Sequence, residues 1–247
     1  MPDMDLYSTA KPLLGALPQW IADEQERRRL GTYMLYEQIY WGVPDTFKLV
    51  SRGTEDKPIY IPAGRSIVET MHRYVANAMT LAVSPELGTP NEQALAKQVM
   101  DDLAARERLY SKFSSNKRYG LIRGDWMFHL YAEPDRLPGA KISIFALDPA
   151  TVFPIYNMEN IDEVIGYHIA EMYRDDDGKD YIRRLTYRKN TGTGGPSPID
   201  VTDELYELDS WGGPGMDVEA PKIVRALRPP FQLPSPIDQL PIYHIQN

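Results

Sequence analysis

The spacing of apolar residues changes once along this chain, at Gly120, and that change constrains the fold more than any other feature. Up to it, apolar side chains recur three and four residues apart, as one face of an α-helix requires. Beyond it they recur about every second residue, as a half-buried strand requires. The segments 126–134, 141–149, 151–157, 163–174, 180–190 and 203–209 are rich in β-branched and aromatic residues. Turn formers separate them: RLPGA, DDDGK and TGTGGPSP. Residues 212–241, with GGPG, RPP and LPSP, are too proline-rich for regular structure until a last strand in LPIYHIQN at 240–247. The expected class is α+β: N-terminal helices, including one long helix, packed on an antiparallel β-sheet.

Ahead of Gly120, residues 18–40 predict a charged helix, or a helix pair divided at Gly31. Residues 58–65, PIYIPAGR, predict a short edge or connecting strand. Ser66-Ile-Val-Glu69 has the form of a capping box that opens a helix with Ile67, Val68, Met71, Tyr74 and Val75 on one face. Thr89-Pro90-Asn91-Glu92 sets a hydroxyl cap, a first-turn proline and a third-position carboxylate ahead of Leu95, Val99, Leu103, Leu109, Tyr110 and Phe113. This pattern predicts one helix running to about Gly120. The expected helix-packing core is Ile67, Val68, Met71, Tyr74, Val75, Leu95, Val99 and Leu103, covered by Phe128, Leu130, Ile142 and Ile144 of the sheet. On that placement Met71→Asp buries an unpaired charge and costs several kcal/mol. Three regions follow: 1–64, an arm with a helix and a short strand; 65–120, helices; and 121–247, β-rich with the proline-rich segment at 212–241.

The charge balance argues against sequence-reading of nucleic acid. Residues 1–120 hold 15 basic and 15 acidic side chains, whereas residues 121–247 hold 12 and 20, so the net charge of -8 comes from the second part. Binders of nucleic acid draw affinity from a basic excess. With no cysteine there is no disulfide framework, thiolate metal site or cysteine nucleophile. The N-terminus carries acids where a signal peptide is basic, and no apolar run approaches membrane-spanning length.

Catalytic patterns are thin. GTGGPSP at 192–198 lacks the lysine of a phosphate loop and predicts a hairpin tip. The acidic run 174–180 lacks the ligand alternation and late glutamate of a calcium loop, which leaves a solvated turn. None of His72, His129, His168 and His244 has a second histidine at zinc-ligand spacing. Asp101, Asp102, Asp125 and His129 are the candidates for a metal-dependent nuclease, but a helix surface and a strand entrance account for them equally. The 16 tyrosines have no interleaved basic residues, so they suit a core or a subunit interface better than stacked bases. No catalytic, cofactor-binding or metal-binding residue is predicted.

The order of the segments nevertheless has a likeness. YEQIYWG (36–42), IPAGRSIVETMHRYV (61–75), a long helix into YGLIRGDWMFHLY (119–131), ISIFALDPATVFPIYN (142–157), EVIGYHI (163–169) and LPIYHIQN resemble, in sequence and order, the N-terminal half of tailed-bacteriophage portal proteins. The resemblance covers about residues 33–247 and rests on packing motifs. It implies the wing of a head-tail connector, a structural virion protein and not an enzyme, ringed as a dodecamer at one capsid vertex. DNA passes through its channel without sequence specificity during packaging and ejection. It also implies contacts with the major capsid protein, and with terminase and neck or adaptor proteins through stem, clip and tunnel regions absent from this sequence. The expectation is therefore the front part of a longer polypeptide, assembled in the host cytoplasm and resident in the virion. Another minor capsid or neck protein is the alternative, followed by the nuclease.

Overall fold

A computed structural model describes residues 24–43, 63–75, 82–84, 86, 88–132, 142–190, 198–207, 223–234, 237 and 239–246. Among the described residues four helices come first: α1 (Glu24–Trp41), α2 (Ala63–Val75), α3 (Pro90–Arg106) and α4 (Leu109–Arg123). Eight strands follow: β1 (Asp125–Ala132), β2 (Ile142–Leu147), β3 (Val152–Tyr156), β4 (Val164–Arg174), β5 (Asp180–Lys189), β6 (Ile199–Glu207), β7 (Ile223–Gln232) and β8 (Ile242–Gln246). They form a three-stranded sheet of order β2-β1-β8 and a five-stranded antiparallel meander, β3-β4-β5-β6-β7. The class is α+β, as the change of period implies. The chain divides into two compact units, one holding the described residues up to Leu35 and from Asp148 to Tyr243, the other those from Tyr36 to Leu147 and from His244.

In the second unit, α4 packs on β1 and β2. Ala104, Leu109, Phe128 and Ile144 form the buried cluster, with Leu103, Phe113, Trp126, Leu130 and Ala146 against it. The predicted single helix is in fact two. Thr89 caps α3 through the full reciprocal box with Glu92, as its residues require, but the chain breaks at Arg108, whose φ of 50° is left-handed. That conformation costs a non-glycine residue about 1 kcal/mol. The break lets the loop close the open edge of β2. Glu107 Oε2 accepts from the Ile144 N–H (3.2 Å), Lys112 Nζ donates to the Ile144 carbonyl (2.5 Å) and to Glu107 (2.9 Å), and Arg106 donates to the Ile142 carbonyl (3.0 Å). Burial works against ionisation of Glu107, and its hydrogen bonds outweigh that, holding the carboxyl below the usual range. A bare edge would template pairing with another chain; three charged side chains occupy it instead.

The stop is also one turn later than predicted. Gly124, at φ 87°, ends α4, with its N–H on the Gly120 carbonyl (2.9 Å). Gly120 lies inside the helix because the Trp126 indole fills the space a Cβ would take.

In the first unit, β6 alternates from Ile199 to Leu205, burying Ile199, Val201, Asp203 and Leu205, and buries Tyr206 after them. Asp203 is tolerated in that row because Arg183 donates to both of its oxygens (2.9 and 2.8 Å). The acidic run forms the β4–β5 turn. Asp175 Oδ1 accepts from the Asp177 and Lys179 N–H groups (3.1 and 2.8 Å), and Gly178 supplies φ 79°.

Strand β7 corrects the expectation of irregular structure over 212–241. It carries Pro229 and Pro230 at the edge of the sheet, and its pairing with β6 slips in register. An edge strand needs only half of its N–H groups, so prolines do not exclude it. The short strand predicted at 58–65 falls on residues outside those described up to 62, while 63–65 open α2. The loop at 192–198 also lies outside them, apart from Pro198.

Candidate functional site

Helix α2 is strongly amphipathic, as its sequence requires, but its apolar face points outward. Tyr74 is 79% exposed, Ile67 59%, Met71 49% and Val75 37%, and none of the described α2 side chains is buried. Glu69 and His72 turn inward. Glu69 accepts from the Tyr40 hydroxyl (2.5 Å) and lies 3.4 Å from Arg118 Nε. His72 Nε2 donates to the Ser114 carbonyl (2.9 Å), and Lys117 reaches the His72 carbonyl. Arg65 lies over the Trp41 ring, 5.3 Å from its centroid. The hydrogen bond from Tyr40, helped by Arg118, holds Glu69 below the ordinary carboxylate range, and burial pushes Tyr40 up to about 12.

This corrects the predicted core. Ile67, Met71, Tyr74, Val75, Leu95 and Val99 are exposed and Val68 is half-buried, so of the eight helical positions only Leu103 packs against the cluster. Phe128 and Ile144 are buried and Leu130 packs beside them, whereas Ile142 is 44% exposed. The physical reason is the partner. The α4 surface facing α2 presents Ser114, Lys117 and Arg118, so α2 meets it with its own polar side. The capping box at Ser66 is not formed either: α2 begins at Ala63, and Glu69 is engaged by Tyr40. Met71→Asp is therefore expected to leave the stability of the isolated chain within about 0.5 kcal/mol, the usual range for a surface change. Urea unfolding checks this; a loss of several kcal/mol returns Met71 to a core.

The nuclease candidates do not gather. Asp101 is held by Lys97 on α3 (2.5 Å) with Asp102 exposed beside it, and His129 is buried with its ring 5.7 Å from Tyr131 and 6.2 Å from Phe145. Asp125 at the start of β1 lies 2.7 Å from His244 Nε2 on β8, a pairing that sequence separation conceals. Among the described residues no three His, Asp or Glu side chains are placed to hold a metal ion.

A second feature lies on the face of the five-stranded sheet opposite the buried row. Register aligns Gly166 with Arg188 and Asp200, His168 with Thr186 and Thr202, and Ala170 with Arg184 and Glu204. The side chains of His168, Arg184, Thr186, Arg188, Asp200, Thr202 and Glu204 on these rungs, with Ile155, Tyr156, Met158 and Ile165, line an open cleft of about 520 Å³. Its two arginines and two acids balance, so it selects neither sign of ligand. His168 Nδ1 is 2.8 Å from Thr186 Oγ1. Burial pushes its pKa down to about 4, Arg184 and Arg188 add to this, and Glu204 opposes them.

In the unfolded chain this imidazole titrates near 6.5. Between pH 6.5 and about 4 the unfolded state therefore binds a proton that the folded state refuses. The stabilisation present above pH 6.5 declines as pH falls and is gone below about 4. Its ceiling is on the order of 3 kcal/mol, reduced by partial solvent access. In urea titrations from pH 7 to 4, His168→Gln is expected to flatten this decline; an unchanged slope contradicts it.

No protein-family model matches the chain, and no curated protein matches it.

Proposed function

We propose that the chain is a structural subunit of the portal type, whose task is to be ringed by copies of itself at a capsid vertex through which DNA passes, and which transforms no substrate. The observation that carries this reading is the outward apolar stripe of α2. A helix that satisfies its polar face inward and leaves Ile67, Met71 and Tyr74 in water is built to be covered. Monomeric proteins seldom expose a contiguous apolar face of this kind, whereas single exposed apolar residues are ordinary. The closed β2 edge is consistent with it, because a subunit that must associate through one surface gains from blocking adventitious strand pairing at another.

Light scattering and negative-stain microscopy of the purified chain test this reading. The expected result is a closed ring with a central channel, dodecameric if the resemblance extends to stoichiometry. A monodisperse monomer at micromolar concentration overturns it.

A further inference from the structure

We draw no further inference here: the strongest candidate, the outward apolar stripe of Ile67, Met71 and Tyr74 on α2, already carries the proposed function, and nothing in the structure shows what covers it.

Discussion

Replacing Arg123 by leucine is expected to destabilise the chain by about 3–5 kcal/mol. Arg123, in the last turn of α4, and Glu37, on α1, form an ion pair with side chains 0% and 2% exposed. The guanidinium also lies 5.2 Å from the centroid of the Tyr119 ring. Removing one partner strands the other charge out of water, and that penalty, more than the lost attraction, sets the size of the effect. Glu37→Leu is therefore expected to cost a similar amount. The double variant Glu37→Leu/Arg123→Leu discriminates. No donor among the described residues reaches Glu37 Oε2, so the carboxylate is incompletely compensated. Replacing both by apolar groups of similar size should then recover most of the loss. Urea unfolding of the three variants decides the matter, with hydrogen exchange following α4 and β1. If the double variant loses the sum of the two single losses, the two side chains contribute independently of each other and this account is wrong.

What the sequence made legible followed from strict local rules. The change of period at Gly120 gives the passage from helices to strands, and Thr89-Pro90-Asn91-Glu92 gives a helix start, because cap and period are set by neighbours within four residues. The strand segments were readable for the same reason. What was not legible depended on partners distant in sequence. The amphipathicity of α2 was plain, but which side faces inward is decided by Ser114, Lys117 and Arg118, more than forty residues away. Period alone assumes that the inward neighbour is apolar. The break at Arg108 was hidden in the same way, since the gain that offsets its left-handed backbone comes from carbonyl and amide groups of β2. Of Gly120 and Gly124, the first marks a close approach by Trp126 and the second the actual stop, a distinction no local pattern contains. The rungs through His168 and Arg184 needed the strand register, which composition cannot supply.

The other large effect is expected at Phe153. Its side chain is 2% exposed on β3, among the largest fully buried groups of the chain, and Phe153→Ala should cost about 3–5 kcal/mol through lost burial and the cavity left behind. The site has little capacity to collapse. Arg29 lies 5.6 Å from the ring centroid and cannot follow the missing ring inward, because it is fixed from several directions. It donates to the Pro149 carbonyl (2.9 Å), the Val152 carbonyl (2.7 Å), the Tyr33 hydroxyl (3.2 Å) and Glu26 (2.7 Å). Two of those bonds hold the main-chain carbonyls at the entry to β3, so a shift of Arg29 to fill the void would uncover both acceptors. Phe153→Leu, which keeps most of the volume, should therefore cost much less, below about 2 kcal/mol. A Phe153→Ala loss no greater than that of Phe153→Leu, measured by denaturant unfolding, would show that the site relaxes and that Arg29 is not the rigid wall described. In the expected case, hydrogen exchange quickens first in β3 and β4, which pair across Phe153 and His168.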